Sequence, residues 1–214
     1  GEDLIHPAAS ISVWEHLLLA VSFTEQHKGA HGLPLTLHGD WNDIINKFSQ
    51  KGLGESVFCA QQYVVCLDCM IALAQEIGDE KNGAYLKKCR DNMKASLASC
   101  AFNGDWFYRC FDDDGNPIGG KQDAFGKIWI NSQTWSVMSN TGSKEQQIAA
   151  MDAVKKYLDT DMGLLKLYPG FESYPFNTDP FSSYNPGCGE NGAVFCHANT
   201  WAIIAECILG RGDI

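Results

Sequence analysis

The sequence predicts a mainly α fold, arranged as part of an α/α toroid with a small β-hairpin insertion. Three observations predict it. Apolar residues recur at helical spacing in about six stretches of the 214-residue chain. Long loops rich in Gly, Asn, Asp and Ser join some of these stretches, and long loops in a compact domain usually carry a site. Between the third and fourth helical stretches, alternating aromatics and an Asp-Gly turn signal short strands. Helix pairs with sites on their connecting loops suit half of a twelve-helix toroid.

Each element has its own signal. Val13, Trp14, Leu17, Leu18, Val21 and Phe23 form one face of a helix from Ile11 to about His27, with Ser10 or Ser12 as cap and Glu15 in the first turn. Gly29 to Lys51 reads as a long loop. Glu55 to Ile77 reads as a long apolar helix that stops at Gly78. Ala84 to about Ala101 is amphipathic, with Lys87, Lys88, Arg90 and Lys94 on a solvated side. Trp106 to Phe111, the turn at Asp114-Gly115 and the segment after it predict a hairpin, with Lys127 to Ile130 as a third strand. A helix begins around Ser132, another runs from Lys144 to Leu158, and the last spans Ala193 to Leu209 after a loop from Phe171 to Gly192.

Sixteen Lys and Arg against 26 Asp and Glu leave a formal charge of −10. Such a chain has no electrostatic reason to hold a nucleic acid, and a phosphate ion needs local positive groups against that field. Nine cysteines in apolar or helical surroundings read as reduced thiols in a cytoplasmic protein. Cys66 and Cys69 have no second pair at ligand spacing, so no metal site is expected. Polar residues interrupt the apolar stretches at helical spacing, so neither a leader nor a membrane span is expected. The 214 residues read as a segment of one domain, incomplete at both ends.

Three constellations could carry chemistry. Gly39-Asp40-Trp41-Asn42-Asp43 sets two carboxylates around an aromatic and an amide. Cleaving a glycosidic bond needs a carboxylic acid to protonate the leaving oxygen, a flat apolar surface for the sugar face and polar groups for its hydroxyls. The same pentapeptide also fits a loop with an Asp cap and a buried Trp. Asn185-Pro186-Gly187-Cys188-Gly189-Glu190-Asn191-Gly192, followed by Phe195-Cys196-His197, lets backbone approach a ligand and sets a His at a helix start, where free N–H groups favour an anion. This stretch too could be structural. The aromatics from Trp106 to Phe111 fit a sugar groove or a hairpin's packed face. The triplet Asp112 to Asp114 lacks the Glu of a calcium loop. No nucleotide-binding glycine loop and no Gly-x-Ser-x-Gly elbow is present.

Taken in order, these motifs resemble glycoside hydrolase family 94, the cellobiose and chitobiose phosphorylases and their relatives. The matching stretches include Trp14-Glu15-His16, His31-Gly32-Leu33-Pro34-Leu35, Gly39 to Asp43, Gly54-Glu55-Ser56-Val57 and Asp105 to Arg109. Beyond these come Lys127 to Ile130 with Gln133 and Trp135, Asn185-Pro186-Gly187, Glu190-Asn191-Gly192, Phe195-Cys196-His197 and Gly210-Arg211-Gly212-Asp213. They cover nearly the whole chain.

The resemblance implies an (α/α)6 barrel catalytic domain. It implies that Asp43 is the general acid and that Trp41, with Asp40 and Asn42 beside it, contacts sugar. Glu190 and Tyr184 would meet the acceptor sugar, and His197 would bind phosphate. Many cellobiose-type members carry Lys before the Glu, where this chain has Gly189, which weakens the case for cellobiose or an aldonic acid. The family's phosphate-binding Arg and Thr-Gly pair fall upstream and downstream of the segment. The implied reaction is inverting phosphorolysis of a β-linked disaccharide or oligosaccharide to an α-sugar 1-phosphate. Inorganic phosphate is the co-substrate, no cofactor is needed, and the resemblance is compatible with a homodimer. Two other readings stay open: an inverting β-glycan hydrolase with Glu190 as base, and a non-catalytic sugar-binding module or inactive fragment.

Overall fold

Six α-helices and five two-residue strands lie among the residues that the computed structural model describes, 11–43, 45–172 and 183–213. The fold is mainly helical, as the periodicity predicts. Helix α1 (Val13–Gln26) starts at Ser12, whose hydroxyl accepts from the Glu15 amide while the Glu15 carboxylate reaches back to Ser12, a reciprocal capping box. The alternative cap, Ser10, lies outside the described residues. Helix α2 (Val57–Glu76) is capped by Ser56. Helix α3 (Glu80–Cys100) begins four residues before the expected Ala84, because Asp79 caps it by accepting from the Asn82 amide. Helices α4 (Ile130–Met138) and α5 (Lys144–Leu158) follow, the latter with a second capping box at Ser143 and Gln146. Helix α6 (Cys196–Leu209) ends on Gly210, whose left-handed φ of 76° suits glycine.

Five of the helices form two rows, α2, α4 and α6 in one and α3 and α5 in the other. Helix α4 packs against α2 on one side and α6 on the other, while α3 lies along α2, and α5 along α4 and α6. Leu86, Met93 and Leu97 turn the apolar stripe of α3 inward, and Lys87 and Lys88 stay in solvent. Helix α2 is long and apolar enough to cross a bilayer by length and composition. Here its Phe58, Val64 and Leu67 are fully buried in the core, each contributing roughly 1.5–3 kcal/mol.

Two of the strand pairs join partners that lie far apart in sequence. Strands β2 (Cys110–Phe111) and β3 (Pro117–Ile118) make the predicted hairpin, with Cys110 opposite Ile118. The third strand of that sheet is β1 (Glu55–Ser56), with Ser56 opposite Cys110. Glu55 and Ser56 are thus extended and lead into α2 instead of opening it. Strand β4 (Ile128–Trp129), the third strand read from the sequence, pairs antiparallel with β5 (Leu167–Tyr168) in a separate two-stranded sheet. A 3-10 helix, Ile45–Ser49, interrupts the loop predicted between Gly29 and Lys51. Helix α6 begins three residues after Ala193, because Val194 bridges to Leu165.

Candidate active site

Helices α2, α4 and α6 begin at one end of the molecule, beside the two small sheets. Side-chain contacts tie their starts together. Ser56, the cap of α2, donates to Asp40 Oδ2 at 2.7 Å. Trp129, at the start of α4, lies under the Arg109 guanidinium, 5.7 Å from its carbon. His197, in the first turn of α6, accepts from Trp41. Neither α4 nor α6 has a side-chain cap; the Ile130 N–H that opens α4 is taken by the Lys166 carbonyl, whereas the first turn of α6 is exposed at Cys196 and His197 and can offer its N–H groups to an anion.

Arg109 organises the loop from Gly39 to Asp43. It is fully buried and forms an ion pair with Asp40. Its Nη2 and Nε donate to Asn42 Oδ1 at 2.8 and 3.3 Å, and its Nη1 donates to Ser56 at 3.2 Å. Burial alone would raise the Asp40 carboxyl. The Arg109 charge, with hydrogen bonds from Arg109, Ser56 and the Asn42 amide, outweighs that and holds it below the usual range. Burial works against the Arg109 charge, and the Asp40 carboxylate more than offsets it. Cys59 lies 3.4 Å from Asp40, and its own burial pushes its thiol strongly upward. The sequence reading sets Asp40 and Asn42 against sugar; in the structure both side chains are buried and turned to Arg109.

Asn42 continues the network outward. Its Nδ2 donates to Glu190 Oε2 at 2.9 Å, and Lys166 Nζ donates to Glu190 Oε1 at 2.5 Å. Both carboxylate oxygens of Glu190 are therefore engaged. Asn191 staples the loop that carries Glu190. It is fully buried, accepts from the Phe171 amide, and donates to the Phe171 and Tyr184 carbonyls, each at 2.7 Å. Of the long loop expected from Phe171 to Gly192, residues 173–182 lie outside the described residues.

Trp41 is half-buried in an aromatic cluster, with ring centroids 4.8 Å from Trp201, 5.5 Å from Phe195 and 5.8 Å from His197. Its indole N–H donates to His197 Nδ1 at 3.2 Å. With Nδ1 accepting, neutral His197 carries its proton on Nε2, and the residue is exposed. Asp43, the general acid that the resemblance implies, is exposed. Asn42 points inward to Arg109 and Glu190, so the next side chain in the turn projects outward, with no hydrogen bond or ion pair among the described residues. Tyr184 is exposed and its ring lies over Gly189, where an added Cβ would come within 2.6 Å of it.

The structure thus joins Asp40, Trp41, Asn42, Glu190 and His197 in one network, with Asp43 at its rim and Tyr184 on the Glu190 loop. Arg109 and Lys166 are the members that sequence reasoning assigns no part. Each is a single cation in a run of otherwise apolar residues, Phe107 to Phe111 and Leu164 to Tyr168, and a cation there needs a buried counter-charge. Among the described residues, no group of three or more His, Cys, Asp or Glu side chains gathers to hold a metal ion.

Three relatives have related sequences. A 3-O-β-D-glucopyranosyl-β-D-glucuronide phosphorylase of Paenibacillus borealis is 37% identical over 95% of this chain and 26% of its own length. A solabiose phosphorylase of the same species is 35% identical over 94% of this chain and 26% of its own length. The cyclic β-(1,2)-glucan synthase NdvB of Rhizobium meliloti is 32% identical over 94% of this chain and 7% of its own length. The chain therefore spans about a quarter of the two phosphorylases. Residues 5–214 match the model of the catalytic domain of the glycosyl hydrolase 94 superfamily, and the chain belongs to that family.

Proposed function

We propose that this chain supplies the general acid and part of the sugar and phosphate sites for inverting phosphorolysis of a β-linked disaccharide or oligosaccharide of the cellobiose or chitobiose type. The observation that carries the reading is the Trp41–His197 hydrogen bond. It couples an aromatic sugar platform to an outward N–H donor at the start of α6. Phosphate held there by His197 Nε2 and the first-turn N–H groups attacks the anomeric carbon. Asp43, on the rim of the same loop, protonates the departing oxygen, and the sugar over Trp41 screens the carboxyl from water. Asp40 and Asn42 hold the loop, while Glu190 and Tyr184 meet the acceptor.

The phosphorylase names of two relatives support this reading. A hydrolase would need Glu190 as base, and its oxygens are already engaged by Asn42 and Lys166. We also propose that residues 1–214 belong to one (α/α)6 barrel. The two helix rows support this, as do the apolar faces left open by Val13, Leu19 and Phe23 on α1 and by Ile203, Ile204 and Ile208 on α6. The free thiols support a reducing, cytoplasmic setting; a homodimer remains part of the proposal.

The test uses the complete protein. It should cleave a β-linked disaccharide only when phosphate is supplied, releasing an α-sugar 1-phosphate. Phosphate-independent turnover would establish the hydrolase reading in its place. Binding without turnover in either condition would establish the sugar-binding module.

A further inference from the structure

Lys166 has no part in the chemistry proposed above, yet it stands at the centre of the site. Its residue is 4% exposed. Its backbone is fixed from both sides: its N–H donates to the Ala193 carbonyl at 3.1 Å, and its carbonyl accepts from the Ile130 amide at 3.0 Å. The root of the side chain is therefore tied to the start of α4 and to the end of the Glu190 loop. The ammonium sits 2.5 Å from Glu190 Oε1, 5.3 Å from the Phe195 ring centroid and 5.8 Å from that of Trp41. A buried ammonium is costly without a counter-charge, and aromatic faces add a favourable field.

We propose that Lys166 is a positioning residue for acceptor-sugar binding, locking the Glu190 carboxylate and the Trp41–Phe195 wall into one geometry. This rests on the reading that Glu190 meets the acceptor. Glu190 is gripped by two donors of different origin: Asn42 fixes one oxygen to the Arg109–Asp40 pair beside Ser56, the cap of α2, and Lys166 fixes the other to the start of α4 and the Ala193 carbonyl ahead of α6. The chain Asp40–Arg109–Asn42–Glu190–Lys166 thereby runs from the cap of α2 to the start of α4 and the segment that precedes α6. Without Lys166, the carboxylate keeps one anchor and can turn away, and the two aromatic rings lose the charge between them.

The test compares Lys166→Met, Glu190→Gln and the double variant in the complete protein, run toward disaccharide synthesis so that the acceptor sugar has its own KM. Lys166→Met should raise the acceptor KM about ten- to hundred-fold, the loss of a charge-assisted hydrogen bond. The KM for phosphate, measured in phosphorolysis, should stay within about two-fold. Since the pair acts as a unit, the double variant should be no worse than the more damaged single one. Effects that multiply, or a phosphate KM that rises in step with the acceptor KM, overturn the proposal. If Lys166→Met does not fold, the double variant, which leaves neither charge buried alone, is compared with Glu190→Gln: equal acceptor affinity supports the lock and a further loss overturns it. Calorimetric binding of the acceptor needs no turnover. A protein with no phosphorolytic activity thus overturns the phosphorylase reading, while the lock is judged on binding.

Discussion

The indole N–H of Trp41 reaches across 156 positions of sequence to His197 Nδ1, at 3.2 Å. The bond sets which face of the imidazole is free, since a ring whose Nδ1 accepts presents Nε2–H on its other side. Trp41→Phe keeps an aromatic platform and removes the donor. The phosphate KM should then rise about two- to ten-fold, the net worth of one hydrogen bond, with a smaller change in the sugar KM. His197→Ala should weaken phosphate further, about ten- to hundred-fold. Steady-state kinetics of the complete protein decide this, and a phosphate KM untouched by either substitution removes His197 from the anion site.

Arg109 and Asp40 form the buried ion pair beneath that platform. Removing one partner leaves an uncompensated charge, so Arg109→Met should destabilise the fold by about 3–5 kcal/mol. Lys51 and Asp114 form a pair in open solvent, and Asp114→Asn should leave the unfolding midpoint where it was. Denaturant unfolding of the two variants checks the contrast. Equal, small effects would mean that water reaches Arg109.

The same pair has a pH signature. The folded protein holds Asp40 ionised below the usual carboxylate range, whereas the unfolded chain protonates it near about 3.9. Its contribution is therefore complete above about pH 4 and is lost as pH falls through the folded value. Unfolding midpoints between about pH 2.5 and 6 should fall on the acid side, and Asp40→Asn should flatten that fall. An Asp40→Asn profile parallel to that of the parent protein would assign the acid sensitivity to other carboxylates.

Helix α1 was legible because Ser12, Glu15 and the apolar face lie within a few residues of one another, and α5 for the same reason. Strand partners were not. Nothing in Ile128–Trp129 tells that it meets Leu167–Tyr168 instead of the hairpin beside it in sequence, because period-2 patterning gives a strand its faces and no partner. The site divides in the same way. The composition of the pentapeptide from Gly39 to Asp43 suits a sugar site as well as a capped loop, and it does not say which carboxylate turns inward. That choice is made by Arg109, 69 residues from Asp40, which takes Asp40 and Asn42 and leaves Asp43 outside.

Gly189 offers a test of the acceptor side. Its φ is +50°, and the Tyr184 ring occupies the space a side chain would need. Gly189→Ala must therefore push Tyr184 aside and strain the backbone. Acceptor affinity should fall while phosphate affinity holds. Tyr184→Ala should give the same phenotype, and little further loss should follow when the two are combined. Losses that add in full would mean that Gly189 acts on Glu190 and not through Tyr184.

The central prediction concerns Asp43. The loop turns its carboxyl to solvent, where a bound sugar can cover it. Asp43→Asn keeps the shape and removes the proton. General acid catalysis is typically worth about 10²–10⁴-fold, so kcat on an ordinary disaccharide should fall by at least about that factor. A substrate with a good leaving group, such as a glycosyl fluoride or an activated aryl glycoside, needs no proton from the enzyme. Where the complete protein accepts one, the variant should keep much of its rate on it. Equal losses on both kinds of substrate would mean that Asp43 shapes the site without donating a proton. Asp40→Asn is the control for the other carboxylate of the motif. With its partner Arg109 left unpaired, it should lose stability and act alike on both substrates, because its effect passes through the loop and not through the leaving oxygen. A selective loss in Asp40→Asn would exchange the two assignments, and would require the buried pair with Arg109 to open during turnover.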